Sequence, residues 1–160
     1  HPPSQIEMEE FIDLLLRLQA AGEILPFTVT LLPERTRIGI IRFLDIDRPN
    51  RAAELGTWLD SGFWGSPLNP EAKLLMLRHA FEKEGAHRIQ LKTDARNVRS
   101  QRAIERLGAV REGALREAHL LPNGVFRSSI YYSILASEWP TVQRRLEERL
   151  SVPWVRSSKS

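Results

Sequence analysis

The chain has 160 residues, of which 42% are hydrophobic and 27% are charged, a composition that fits one domain over residues 1–160 with a continuous apolar core. It contains no cysteine, which excludes disulfide bonds, cysteine-ligated zinc and a covalent cysteinyl intermediate. The net charge of +3 comes from basic residues interspersed with acidic ones, so a nucleic-acid partner is not favoured. No apolar run reaches the roughly 20 residues of a membrane span and no leader pattern is visible, so we expect a cytoplasmic protein without a membrane partner.

The first half of the chain predicts a helix followed by three strands. A capping-box pattern at residues 4–7 starts an amphipathic helix that Gly22 closes. Alternating apolar residues and strand-forming side chains then predict the following order: strands over 27–31 and 38–44, a polar loop over 45–51, and a strand over 52–59.

The second half predicts a βαβ unit, a capped helix and a hairpin. Apolar residues at helical spacing indicate a helix over 70–84 that ends at Gly85. Side chains that alternate with a period of two indicate a strand over 87–93. The strands on either side of this helix should be parallel neighbours. The remaining predictions are a helix capped by Asn97 and ended by Gly108, a hairpin of residues 109–121 and 125–136 with Phe126 on its apolar side, a helix entered at Pro140, and a flexible tail over 151–160.

Residues 64–75, with the sequence WGSPLNPEAKLL, run from a loop into the helix of the βαβ unit. Ligands of such sheets bind beyond the carboxyl ends of the parallel strands, where a helix N-terminus attracts anions. The pair Asn69 and Pro70 is also an ordinary N-cap followed by a first helical residue, so helix capping alone is the competing interpretation.

Residues 91–113, LKTDARNVRSQRAIERLGAVREG, and the hairpin segment LPNGVFRSSIYYSILASEWP carry a more specific pattern. Together with the order of elements, they resemble the GNAT superfamily of N-acetyltransferases. Asn97, Ser100 and the pair Leu107 and Gly108 match the branch that contains the ribosomal-protein alanine N-acetyltransferases. The resemblance implies a mixed α/β fold with a mostly antiparallel central sheet, one parallel splayed strand pair, and flanking helices. Members normally begin with a strand and a helix ahead of the segment that opens this chain, so we expect both to be missing from this numbering.

The resemblance also implies a reaction. Acetyl-CoA would be the co-substrate, and an acetyl group would pass to a primary amine, either a small molecule or a protein N-terminus. Because the chain has no cysteine, direct attack in a ternary complex is expected. No metal is expected, because no cluster has metal-ligand spacing, and a homodimer is compatible with the sequence. The alternatives are an acyl-CoA-binding or regulatory domain without turnover and, less favoured, a basic nucleic-acid module.

The superfamily suggests which residues would hold the co-substrate. Backbone groups near Thr57, Trp58 and Leu59 would bind the pantetheine arm, and Asn97 would either bind its amide or only cap a helix. The pyrophosphate would rest on N–H groups of the loop, although Pro67 and Pro70 supply none. The expected N–H donors are Gly65, Ser66, Leu68, Asn69 and Glu71. Arg102 would meet the nucleotide phosphates, whereas Arg106 is assigned to the solvated helix face.

Three residues are candidates for catalysis. The family's general-acid tyrosine falls at Ile104, which cannot donate a proton, so Ser100 is the expected substitute. Its alternative role is that of a small packing residue. Glu54 is the first candidate base and His119 the second. For each of these two, an exposed strand side chain without function is the competing interpretation.

Overall fold

The computed structural model describes residues 5–153. Its helices are α1 (Gln5–Ala20), α2 (Leu68–Arg78), α3 (Val98–Glu105) and α4 (Trp139–Ser151). Its strands are β1 (Leu25–Leu31), β2 (Thr36–Asp47), β3 (Ala52–Leu59), β4 (Arg88–Asp94), β5 (Val110–Leu120) and β6 (Phe126–Leu135). A short 3₁₀ turn follows β3, and a π-helical turn extends α2. Within residues 5–153, every helix is too short or too polar to cross a membrane.

The strands form one six-stranded sheet in the order β1-β2-β3-β4-β6-β5. Each neighbouring pair is antiparallel except β3 and β4, which run parallel and are connected along the chain through α2. The predicted fold class, a mixed α/β fold with a mostly antiparallel sheet and flanking helices, is therefore confirmed.

The parallel pair separates soon after it begins. Its register covers Ala52 with Arg88, Ala53 with Ile89, and Glu54 with Gln90. Beyond Glu54, β3 continues along β2 to Leu59, and β4 continues along β6 to Asp94. The two carboxyl ends leave a wedge between them, which confirms the predicted splayed pair.

The core lies between one face of the sheet and helices α2, α3 and α4. Leu55 and Leu91 of the parallel pair point into it and contact the same cluster as Leu77 of α2 and Leu146 of α4. Because side chains alternate along a strand, Glu54 lies on the opposite face. Helix α1 covers part of that second face, where Phe11 packs beneath the guanidinium of Arg42 at 5.5 Å.

Several predicted boundaries are corrected. Strand β2 reaches Asp47 rather than ending at residue 44, because the carboxylate of Asp47 accepts the Asn50 N–H at 3.0 Å and closes a tight turn. Helix α4 includes Ser151, so the predicted tail starts too early; residues 154–160 lie outside the described part, as does Ser4 of the predicted capping box. Phe126 is 57% exposed instead of packing in the core, because it lies at the outer end of the hairpin.

Candidate active site

Helix α2 begins two residues earlier than predicted. Pro67 occupies the N-cap position, and its carbonyl accepts the N–H of Glu71 at 3.0 Å. Asn69 and Pro70 therefore lie inside the first turn, and the prediction of Asn69 as the cap is wrong. The fixed φ of Pro67, −70°, already suits a helical start.

This start changes which loop N–H groups face solvent. The N–H of Glu71 is bonded within the helix, and that of Leu68 points to Ser66 Oγ at 3.4 Å. Ser66 Oγ itself donates to the Phe63 carbonyl at 2.6 Å, which fixes the loop. Among the described residues, the N–H groups of Gly65 and Asn69 have no hydrogen-bond acceptor.

The free edge of β3 presents backbone groups to the wedge. The N–H of Asp60 donates to the Ile38 carbonyl at 2.9 Å. The backbone N–H and C=O groups of even-numbered residues in this part of β3 therefore face β2. By alternation, the backbone groups of Thr57 and Leu59 face the gap, whereas those of Trp58 do not. The backbone of Trp58 is thus turned away from the predicted arm, although its side chain is 44% exposed.

Asn97 caps helix α3. Its Oδ1 accepts the N–H of Ser100 at 3.0 Å, which confirms the predicted N-cap. The amide nitrogen of Asn97 and the hydroxyl of Ser100 have no hydrogen-bond partner among residues 5–153, so both remain available at the end of the wedge.

A cavity of about 350 Å³ lies where β3, the following loop, α2 and α3 meet. Its lining residues are Thr57, Trp58, Leu59, Phe63, Trp64, Gly65, Ser66, Asn69, Pro70, Lys73, Asn97, Arg99, Ser100, Ala103, Arg106, Leu107 and Arg149. The cavity therefore joins the strand edge to the N-termini of two helices.

The cavity is strongly electropositive. Lys73, Arg99, Arg106 and Arg149 line it, and none of the described lining residues is acidic. Two helix N-termini add their positive dipole ends. Such a cavity attracts an anionic ligand.

Two side chains connect the walls of the cavity mouth. Trp64 donates its indole N–H to the Leu59 carbonyl at 3.0 Å. The guanidinium carbon of Arg99 lies 3.3 Å from the centroid of the Trp64 ring. The loop after β3 is therefore tied both to β3 and to the first turn of α3.

Some buried polar groups at the cavity have no partner in the protein. Thr57 Oγ1 and Asn69 Oδ1 are enclosed, and neither makes a hydrogen bond with any described residue. Lys73 is 6% exposed, and its burial lowers the pKa of the ammonium from 10.5 to about 8. Groups of this kind are usually satisfied by a bound ligand or by water.

Glu54 is buried rather than exposed, so the interpretation as a solvated strand carboxylate is wrong. It is 4% exposed, and its Oε2 contacts Lys92 Nζ at 2.9 Å and Gln90 Nε2 at 3.2 Å. These partners lie on β4 at and beyond the last paired residue, where the wedge opens. Glu54 does not line the cavity, because its side chain points to the other face of the sheet.

His119 lies on an irregular part of the hairpin. It pairs with Arg127 beyond a bulge at which Glu117 has a positive φ of 50°. It is half-buried, and its Nε2 is enclosed without a partner among the described residues. It is not a lining residue of the cavity.

The structure thus brings together only part of the predicted site. The predicted residues that line the cavity are Thr57, Trp58, Leu59, Gly65, Ser66, Asn69, Asn97 and Ser100; those that do not are Leu68, Glu71, Arg102, Glu54 and His119. Arg106 lines the cavity and Arg102 does not, and Arg106 is also exposed to solvent, as predicted for it. Lys73 was missed, although a lysine inside the apolar stripe that contains Leu74 and Leu77 is a readable signal.

A metal site is not seen in the part of the chain that the structure describes, where no three His, Asp or Glu side chains cluster at ligand distance. The lysine and arginine side chains that line the cavity would also repel a metal ion there. The unpartnered groups at the cavity are instead suited to a ligand that carries both amide and phosphate groups.

Comparison with known proteins agrees with this geometry. A model of the GNAT acetyltransferase domain matches residues 1–110. The chain is 32% identical over 109 residues to YdaF of Bacillus subtilis (strain 168), provisionally named a ribosomal N-acetyltransferase, with 68% of this chain and 59% of that protein covered. It is 29% identical over 101 residues to the ribosomal-protein-serine acetyltransferase of Escherichia coli (strain K12), with 63% and 56% covered.

A crystal structure from T. thermophilus, provisionally described as an acetyltransferase, is 48% identical with a TM-score of 0.78 and covers 85% of this chain and 71% of its own. The chain spans 59% and 56% of the length of the two curated relatives. The names of these relatives agree with the branch that residues 91–113 predicted. The family match covers more than half of the chain, and the chain therefore belongs to the GNAT acetyltransferase family.

Proposed function

We propose that this chain binds acetyl-CoA in the electropositive cavity and transfers the acetyl group to a primary amine. The observation that carries the proposal is the position of a cationic, acid-free cavity at the open end of the splayed strands. The acceptor is either a small-molecule amine or a protein N-terminus, and we place the reaction in the cytoplasm, where both are found.

The pantetheine arm would lie along the free edge of β3. An extended chain with amide groups can pair with exposed backbone groups as an added strand does. Thr57 offers such groups and Leu59 offers its N–H, since the Leu59 carbonyl already accepts the Trp64 indole N–H. The enclosed Thr57 Oγ1 would gain a partner when the arm is bound. Trp58 would wall the arm with its side chain rather than bind it with its backbone, and Asn97 would use its amide nitrogen.

The phosphate groups would lie at the N-terminus of α2. Gly65 and Asn69 supply N–H groups, and Ser66 holds the loop in place. We assign the side-chain contact with the phosphates to Arg106 instead of Arg102, because Arg106 lines the cavity and Arg102 does not. Leu68 and Glu71 contribute to the start of the helix rather than to the ligand.

The chemistry requires a polarised thioester and two proton transfers. The amine nitrogen attacks the carbonyl carbon, the carbon–sulfur bond breaks, the nitrogen loses a proton and the thiolate gains one. A backbone N–H of the β3 edge would stabilise the developing oxyanion. Ser100, whose hydroxyl faces the cavity without a partner in the described chain, would supply a proton to the sulfur.

Glu54 is the base that the geometry favours. Lys92 and Gln90 both contact Oε2, which leaves Oε1 for a proton from the amine or from a bridging water. An amine that approached from the α1 face would meet Glu54 where the wedge begins, opposite the co-substrate. His119 is the second candidate, and its enclosed Nε2 would serve an acceptor that lies along the hairpin.

A second function is supported by one specific feature. Ile104 stands at the family's general-acid position and is buried at 3% exposure. If Ser100 does not replace that acid, the domain would bind acyl-CoA without turnover. Titration calorimetry with acetyl-CoA, followed by thiol release with a panel of small amines and peptide N-termini, separates the two functions. Binding with amine-dependent release supports the enzyme, and binding without release supports the second function.

A further inference from the structure

Lys73 is a buried cation without a counter-charge. It lies in the second turn of α2, is 6% exposed, and is followed in the chain by the core residue Leu74. No described residue forms an ion pair or a hydrogen bond with its ammonium. Burying an unpaired ammonium is costly, and that cost is visible in the lowering of its pKa to about 8.

Two other cations that are partly removed from solvent have carboxylate partners. Lys92, whose side chain is 24% exposed, lies 2.9 Å from Glu54, and Arg88 forms a two-pronged pair with Glu112. Lys73 is more buried than either and faces the cavity instead. Its counter-charge is therefore expected in the ligand rather than in the protein.

The start of α2 explains why the ligand would need such a cation. A helix N-terminus normally binds phosphate through several backbone N–H groups. Here Pro67 and Pro70 have none, and the N–H of Glu71 is bonded to the Pro67 carbonyl. Among residues 67–71, only the N–H of Asn69 has no acceptor in the described chain.

We infer that Lys73 binds a phosphate group of the co-substrate and replaces the backbone donors that the two prolines remove from the α2 N-terminus. This inference rests on the proposed binding of acetyl-CoA. An ammonium supplies three donors and a full charge from one side chain. Because Lys73 is buried, its attraction for phosphate is less screened by water than that of the exposed Arg106 and Arg149.

The inference concerns affinity for phosphate, so its test compares ligands with and without phosphate. Calorimetric titrations would use CoA, dephospho-CoA, 4′-phosphopantetheine and pantetheine with the wild type and with Lys73→Met. Methionine keeps a flexible apolar chain of similar length and introduces no buried charge. Arg102→Gln is the matched control, because it removes a cation from α3 outside the cavity.

The expected result is that Lys73→Met weakens CoA binding by at least about tenfold, as expected for a hydrogen bond to a charged group, and leaves pantetheine binding unchanged. The intermediate ligands show which phosphate is bound, since the loss appears only when that phosphate is present. Arg102→Gln should bind every ligand as the wild type does.

Three other outcomes would contradict either the inference or the proposed function. Equal affinity of the wild type and Lys73→Met for CoA overturns the inference and leaves the proposed function intact. Equal losses for CoA and pantetheine would assign Lys73 a structural role and also overturn the inference. A wild type that binds none of the CoA derivatives would overturn the proposed function itself.

Discussion

The guanidinium of Arg99 stacks on the indole of Trp64, 3.3 Å from the ring centroid, and thereby ties the loop after β3 to helix α3 across the cavity mouth. A cation–π contact at an exposed site contributes about 0.5–1 kcal/mol. A double-mutant cycle of Trp64→Leu and Arg99→Gln, followed by urea unfolding, should give a coupling energy of that size and favourable sign. Additive effects of the two changes would show that the contact does not hold the loop in solution.

The pair of Glu54 and Lys92 leads to a stability prediction. Lys92→Met should leave the buried carboxylate of Glu54 without its ion-pair partner, with only the longer-range attraction of Arg42 remaining, and lower the free energy of unfolding by about 3 kcal/mol. Adding Glu54→Gln to Lys92→Met should recover part of that loss, because the buried charge that lost its ion-pair partner is then gone. The control is Arg78→Gln, which breaks a pair with Glu147 whose side chains are 39% and 47% exposed, and it should cost less than about 1 kcal/mol. Comparable losses in Lys92→Met and Arg78→Gln would contradict the assignment.

Lys73 predicts a pH dependence of stability. Its pKa is about 8 in the folded protein, against 10.5 for a solvated lysine, so between these pH values the unfolded chain binds more protons. Stability of the wild type relative to Lys73→Met should therefore rise with pH across this window, by at most about 3 kcal/mol. The other charged groups that share the cavity are Arg99 of α3, Arg106 at the C-cap of α3 and Arg149 of α4; both proteins contain them, so their contributions cancel in the comparison.

Urea unfolding of both proteins without ligand at pH 7, 9 and 10 measures this effect. Lys73→Met should be the more stable protein at pH 7, and its advantage should shrink as the pH rises. A constant difference would show that Lys73 does not lose its proton early in the folded state.

Asn97 has a capping role and a proposed binding role, which two substitutions separate. Asn97→Ala removes the acceptor for the Ser100 N–H and should cost about 1 kcal/mol of stability as well as CoA affinity. Asn97→Ser keeps a capping oxygen but lacks the amide nitrogen, so stability should be retained while affinity falls. Thermal unfolding and CoA titration provide both readouts. Wild-type affinity in Asn97→Ser would limit Asn97 to capping.

The order of elements could be predicted from the sequence, because the local signals for each element were clear. Glycines with positive φ end the segments as expected, at Gly85 after the helix of the βαβ unit and at Gly108 after α3. The parallel pair followed from the βαβ order, and its separation followed from the resemblance.

The site was less predictable because it depends on rotation and on long-range packing. Arg102 and Arg106 are four residues apart and share a helix face, so only the position of α2 and α4 decides which one reaches the cavity. The start of α2 was ambiguous because Pro67, Asn69 and Pro70 all favour a helix N-terminus. The burial of Glu54 depends on Lys92 and Gln90 of another strand, which no local pattern reveals.

The most direct test of the central claim is amine-dependent release of CoA from acetyl-CoA by the wild type and by Ser100→Ala. We predict that the wild type releases thiol only when an acceptor amine is present and that the amine becomes acetylated. Ser100→Ala should bind acetyl-CoA equally well but lower kcat by about a hundredfold, as expected for the loss of a general acid. Thiol release by the wild type that stays at the rate measured without enzyme, whichever acceptor amine is added, would contradict the account of this cavity as an acetyl-transfer site.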